Sequence, residues 1–341
     1  GLGKTAIAIT AMRQHEKHFY LVLAPKATLG HWESEIEKWW PNATVITRRR
    51  NEKVENFRQR LRAAEYGGPQ VIVMNYEWFR LRQVSEVLSA APLDGVVFDE
   101  SHRLADRKSL QSRRAKDLAD KIDGLRLCLS GTVFSHSPLS VWHQARLINK
   151  DLFGGYYVFE HRYANHYTIP GVQAKLIRSY KNLDQLAVEF RKIAFVASSE
   201  EWQPELLEPI FINAPFKLGD AGREAYESMR KDMFAQVGLG LIAADNALVK
   251  ALRLQELTSG IARTDEGIDY IHDDRIKVLK DLIESIPEDR PVVVFYQYDP
   301  ERIQIERAAK ALGRGFLTIS GQDKSGLTDK GKLAGHAGEV V

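Results

Sequence analysis

Two short stretches carry residue types that could do phosphate chemistry. The first is Gly1-Leu2-Gly3-Lys4-Thr5. Glycines let a backbone fold closely round phosphate oxygens, with its N–H groups aimed inward. A lysine at the end of such a loop reaches the β- and γ-phosphates, and the following threonine hydroxyl can ligate Mg2+. The second stretch is Val96-Val97-Phe98-Asp99-Glu100-Ser101-His102. Val96–Phe98 is an apolar run entered from an Asp94-Gly95 turn, and it reads as a buried strand of a parallel sheet. Asp99 and Glu100 then stand side by side at its carboxyl end, where open α/β sheets place their ligand sites. Successive side chains on a strand face opposite sides. One carboxylate can therefore hold a metal while the other handles a water. Each stretch alone has a plainer reading, as a glycine-rich turn and as helix-capping carboxylates. The pair is what raises phosphate chemistry above those readings.

Positioning these groups requires alternating strands and helices, and the pattern supplies them. Thr5 to Gln14 reads as a helix whose amino end faces the anion. Phe19–Ala24 is a strand closed by Pro25. A helix from about Thr28 carries Trp32, Ile36, Trp39 and Trp40 at helical spacing, which reads as core rather than a ligand stack. Thr44–Thr47 is a short strand. Arg48-Arg49-Arg50 opens a basic amphipathic helix to about Glu65, either a solvated face or a phosphate contact. Further strands are expected at Val71–Met74 and Leu125–Leu129, with helices at Trp78–Leu88 and Ser109–Ile122. Cys128, in the last of these strands, reads as a buried, inert thiol. This rhythm predicts one parallel α/β domain over 1–145.

From 146 to 205 helical segments dominate, as a protrusion or linker. The span 206–341 reads as the start of a second lobe. Glu208–Ala214 is expected as a strand, followed by a helical block at Asp220–Gly260. The βα rhythm then resumes, with strands at Val292–Tyr296 and Phe316–Ser320 and helices at Arg275–Ile286 and Pro300–Leu312.

Composition sets the outer bounds. The chain has 341 residues, 44% hydrophobic and 27% charged, with a formal charge of +3. That length holds two domains, and the balance fits a globular protein. No run approaches the ~20 apolar residues of a membrane span, so no membrane partner is expected. The single cysteine excludes an intramolecular disulfide and points to a reducing compartment.

Taken in order, the motifs resemble a superfamily-two helicase motor of the Swi/Snf type, the double-stranded DNA translocases. Gly1-Leu2-Gly3-Lys4-Thr5 resembles motif I, and Leu21–Lys26 with the helix through Trp40 resembles motif Ia. Val71–Tyr76 resembles the Ib segment. Asp99-Glu100-Ser101-His102-Arg103-Leu104 is similar to the DEAH box and its continuation. Leu127–Thr132 resembles motif III, and Val292–Tyr298 resembles motif IV.

The resemblance implies an α/β P-loop NTPase fold of two RecA-like parallel-sheet lobes with helical insertions, the second lobe incomplete. It implies ATP and Mg2+ as cofactors and duplex DNA, held by its phosphates without regard to sequence, as partner. Gly1, Leu2, Gly3, Lys4 and Thr5 would bind nucleotide. Thr5 and Asp99 would hold Mg2+, with Lys4 and Glu100 catalytic. His102, Ser130, Gly131 and Thr132 would couple the nucleotide site to closure of the lobes. Pro25, Lys26, Asn75 and Tyr76 would touch DNA. Val133 departs from the family's usual proline, and Val196-Ala197-Ser198-Ser199 lies near where a paired-arginine stretch is usual. Motifs V and VI, which carry the arginine finger, do not follow motif IV here. The polypeptide as written is therefore expected to hydrolyse ATP negligibly by itself. The setting expected is cytoplasmic, bacterial or phage in origin, or nuclear if eukaryotic. Two other readings stay open: a strand-separating or restriction-type motor, and a nucleotide- and DNA-binding module that does not hydrolyse.

Overall fold

The computed structural model describes residues 2–49, 51–64, 67–134, 137–168, 175–202, 205, 209–237, 240–243 and 247–319. The chain divides into two compact units, Gly1–Leu207 and Glu208–Val341.

The first unit is a three-layer α/β domain. Its helices begin with α1 (Lys4–Gln14), then α2 (Leu29–Trp39), which follows a 3-10 turn at Lys26–Thr28. Next come α3 (Val54–Ala64), α4 (Tyr76–Phe79), α5 (Arg82–Ala90), α6 (Leu110–Ala119) and α7 (Val141–Ile148). Its strands are β1 (Phe19–Ala24), β2 (Thr44–Thr47), β3 (Gln70–Asn75), β4 (Gly95–Asp99) and β5 (Leu125–Leu129). They form one sheet in the order β2-β3-β1-β4-β5, every neighbouring pair parallel. β1 is at the centre, and all six of its residues are buried, as a strand covered on both faces must be.

Period two sorts its side chains. Leu21, Leu23, Ile72, Met74, Val96 and Phe98 face one core, closed by α3 to α7. Tyr20, Val22, Val71, Val73 and Val97 face the other, closed by α1 and α2. Asp94 pins the amino ends of the central strands. Its Oδ2 accepts from the His18 and Phe19 amides at 3.0 and 2.9 Å, and its carbonyl accepts from the Leu125 amide at 3.1 Å.

The rest of the first unit holds α8 (Tyr156–Tyr163), an antiparallel hairpin of β6 (Ala164–Thr168) and β7 (Lys175–Tyr180), α9 (Leu183–Arg191) and α10 (Ser199–Trp202). Phe159, Tyr163, Leu186 and Phe190 give it a small core of its own. The expectation that helical segments dominate 146–205 did not include that hairpin. The basic helix expected from Arg48 begins instead at Val54, leaving Arg48 stacked 4.7 Å from the Trp78 ring. The expected helix at Trp78–Leu88 is two helices, broken between Phe79 and Arg82.

The second unit holds α11 (Asp220–Asp232), a β8 (Phe234–Val237) and β9 (Gly240–Ala243) hairpin, and α12 (Ala247–Thr258). A β10 (Ile261–Thr264) and β11 (Gly267–Tyr270) hairpin, α13 (Asp274–Glu284) and α14 (Asp299–Ala311) follow. Glu301 is a buried hub: it accepts from Ser259 Oγ at 2.6 Å, from Arg275 Nη1 at 2.8 Å and from the Gln297 amide at 2.7 Å. Three expectations change here. The helical block at Asp220–Gly260 is interrupted by a hairpin. Residues 209–219 form no strand, and Ile210, Phe211 and Ile212 are exposed. Val292–Tyr296 and the described part of Phe316–Ser320 reduce to single bridge positions at Val292 and Phe316, and Ser320 lies outside the described residues.

Candidate nucleotide site

The sheet brings the candidate chemistry to one edge. Asp99 ends β4, and its register partner Leu129 ends β5, so Ser130 begins the loop beside it. Asp99 alternates with Phe98 and so shares the Val97 face, where α1 and α2 lie. That places it on the side of Lys4 and Thr5, in the first turn of α1.

The turn into α1 is made by Gly3 at φ 77, ψ 19, in the left-handed region. An added Cβ there would meet nothing within 4 Å. The requirement is therefore conformational, and the open space is what an approaching phosphate needs. The Lys4 Nζ lies 4.0 Å from where a Cβ on Gly131 would sit. The lysine head group thus reaches the loop after β5. Gly1 lies outside the described residues.

Asp99 is buried, and each of its carboxylate oxygens has one donor. Oδ1 accepts from the Glu100 amide at 3.0 Å. Oδ2 accepts from the indole N–H of Trp32 at 2.9 Å. Its backbone carbonyl accepts from the Tyr76 hydroxyl at 2.6 Å. A carboxylate offers about four lone-pair sites, so further ligation remains open to it.

Glu100 has φ 48 and ψ 52, a left-handed conformation that few non-glycine residues adopt. This kink turns the chain sharply off β4 into the 3-10 turn at Ser101–Leu104. Its side chain stays about a third exposed, with Oε2 3.2 Å from His102 Nδ1. The same ring nitrogen lies 3.0 Å from Ser130 Oγ and 3.5 Å from Thr132 Oγ1. Ser130 Oγ also accepts from the Thr132 amide at 3.0 Å. Glu100 and the loop after β5 therefore meet at one imidazole.

Gln144 braces this arrangement from α7. Its Oε1 accepts from Ser101 Oγ at 2.8 Å, and its Nε2 donates to the Val133 carbonyl at 2.9 Å. Next to it, His143 is buried, with Nε2 donating to the Ser112 carbonyl at 3.1 Å and Nδ1 without a partner. Burial pushes its pKa down to about 4, against a smaller opposing effect of the Ser112 carbonyl. The unfolded chain therefore takes up this proton first, near pH 6.5, while the folded chain resists it until about pH 4. Stability is complete above pH 6.5 and falls as pH drops through that window. The expected loss is about 2–3 kcal/mol at pH 4.5. Urea melts at pH 7.0 and 4.5 check this, and His143→Asn should flatten the difference by a similar amount.

Residues 1–258 match the family model of the SNF2-related domain. The chain belongs to the SNF2-related domain family. The p41 protein of Acyrthosiphon pisum secondary endosymbiont phage 1 is 25% identical over 339 residues, covering 92% of this chain and 70% of that protein. The ATP-dependent DNA helicase DDM1 of Arabidopsis thaliana is 29% identical over 166 residues, covering 47% of this chain and 21% of that protein. The Sulfolobus solfataricus SWI2/SNF2 ATPase core in complex with dsDNA is 16% identical, with a TM-score of 0.48, covering 95% of this chain and 67% of that one. This SNF2-related domain thus spans about a fifth of the length of DDM1.

Among the expected DNA contacts, Pro25 and Lys26 follow β1, and Asn75 ends β3 as the register partner of Ala24. These three share one sheet edge. Lys26 is exposed, and Asn75 Nδ2 donates to Glu77 Oε2 at 2.9 Å. Tyr76 needs correction: it is fully buried, and its hydroxyl is committed to Asp99, so a direct DNA contact is not open to it. Cys128 carries a thiol whose pKa desolvation pushes up to about 12, which leaves it unreactive at neutral pH. Trp32 and Gln144 are the residues that sequence reasoning missed. Helical spacing had marked Trp32 as core and gave no sign of its polar partner. Among the described residues, no helix is long and apolar enough to cross a membrane.

Proposed function

We propose that this SNF2-related domain is the core of an ATP-driven motor that moves along duplex DNA. The observation that carries the reading is the cluster of Lys4, Asp99, Glu100 and the His102–Ser130 pair at the carboxyl ends of β4 and β5. Membership of the SNF2-related family supports it.

The donors suit Mg2+ with a nucleotide. Asp99 and Thr5 supply hard oxygen ligands, and Mg2+ takes one or two such protein groups with phosphates and waters completing its shell. Asp99 and Thr5 would hold the ion, whose positive charge would offset the charge that develops on the transferred phosphoryl group. The protein's own part is positional. Lys4 and the loop amides hold the β- and γ-phosphates. The Glu100 carboxylate orients a water and takes its proton as the water oxygen attacks the γ-phosphorus. The bond from that phosphorus to the β–γ bridging oxygen breaks, releasing ADP and phosphate. His102 ties Glu100 to Ser130 and Thr132, so a shift in the loop after β5 would move the base.

Duplex DNA would lie along the edge made by Pro25, Lys26 and Asn75, held through its phosphates. In the full chain, meaning one that also carries motifs V and VI, ATPase activity should rise with duplex DNA. Duplex affinity should fall about 100-fold between roughly 50 and 200 mM salt if four phosphates are contacted. Fluorescence anisotropy and phosphate release measure the two. Stimulation by single strands, with no response to duplex, would instead favour a strand-separating motor.

A further inference from the structure

The indole of Trp32 does more than fill the core. It is fully buried on α2, and its one N–H points at Asp99 Oδ2 from 2.9 Å. An indole has a single donor and no acceptor, so the contact has only one sense. Asp99 Oδ1 is held separately by the Glu100 amide. Two donors on two oxygens fix the plane of the carboxylate, which one donor alone would leave free to rotate about its terminal torsion. Tyr76 fixes the backbone beneath it through the Asp99 carbonyl.

We propose that Trp32 is a positioning residue for Asp99, setting which lone pairs of that carboxylate face the phosphate loop and so the affinity for nucleotide-bound Mg2+. This rests on the assignment of Asp99 as a metal ligand. Groups that hydrogen-bond a metal ligand typically govern metal affinity by about 10- to 100-fold. Trp32 cannot reach a ligand itself, because no part of it is exposed. Its influence runs through the carboxylate alone.

Two substitutions separate this role from packing. Trp32→Phe keeps an aromatic ring in the core formed with Ile9, Val22 and Ile36, and removes the N–H. Trp32→His keeps a ring N–H at the same bond distance from Cα and removes the benzo ring. A fluorescent ADP is titrated against each full-chain protein, once in Mg2+ and once in EDTA, with thermal melts alongside. The ratio of the two affinities reports the metal. Trp32→Phe should lower that ratio about 10-fold or more, with EDTA affinity unchanged. Trp32→His should hold the ratio near the parent value while melting earlier. Asp99→Asn is the control. If Asp99→Asn lowers the ratio and Trp32→Phe does not, the positioning role is overturned while the metal assignment stands. If the ratio follows melting temperature rather than the N–H, Trp32 is structural only. If Asp99→Asn leaves the ratio unchanged, the metal assignment fails and the Trp32 role falls with it.

Discussion

Replacing Glu100 by glutamine is expected to slow phosphate release from the full chain by about 10²–10⁴-fold, the usual contribution of a general base. ATP should still bind. The substitution is nearly isosteric, so the left-handed backbone at φ 48 is asked of a residue of the same shape. The amide oxygen can still accept from His102 in place of Oε2, 3.2 Å away in the parent. What disappears is the ability to take a proton. Phosphate release under saturating ATP and duplex DNA measures the rate, and a labelled ATP analogue measures binding. Hydrolysis at the parent rate would show that another group activates the water. Loss of binding would show that Glu100 holds the nucleotide rather than the water.

Lys4→Ala should have the opposite signature. Nucleotide affinity should drop about 10- to 100-fold, the range for losing a hydrogen bond to a charged group. Turnover should fall with it. The head group lies near Gly131, in the loop after β5. Melting temperature without nucleotide should hold. A variant that melts several degrees earlier would mean that Lys4 holds the loop after β5 in place rather than the phosphates. The two substitutions thus divide binding from chemistry, and equilibrium titration beside turnover tells them apart.

The parts legible in the sequence were those with a local signal. β1, β3 and β4 are apolar runs bounded by turn residues, because a strand buried on both faces has no polar side to show. Lys4-Thr5 and Asp99-Glu100 were legible because each role needs its residue at a fixed offset from a loop or strand end. The three hairpins were not. β6, with Asn165, His166 and Thr168, is mostly polar, since a two-stranded ribbon buries little on either face. The β10–β11 turn is the two residues Asp265-Glu266, without the Asn-Gly or Asp-Gly pair that marks a hairpin most clearly. The Trp32–Asp99 bond spans 67 positions, and no periodicity within α2 could announce it. Tyr76 misled for a related reason. The resemblance of Val71–Tyr76 to the Ib segment implied a surface role, while the first turn of α4 folds it inward.

The central place of β1 bears on how the chain is made. On the ribosome β1 emerges before either of its neighbours. Its partner in β3 follows about fifty residues later, and its partner in β4 about seventy-five. At roughly 5–20 residues per second, that is a wait of about 3–15 seconds. Throughout it, Phe-Tyr-Leu-Val-Leu-Ala is a six-residue apolar segment with both edges unsatisfied, of the kind that pairs readily with its own copies. Asp94, which secures the amino end of β1 in the finished sheet, is itself delivered at the end of that wait. Heavy overproduction would crowd many such nascent segments together. A lower expression level, or a holdase that shields β1 until β4 arrives, is the remedy the topology prescribes.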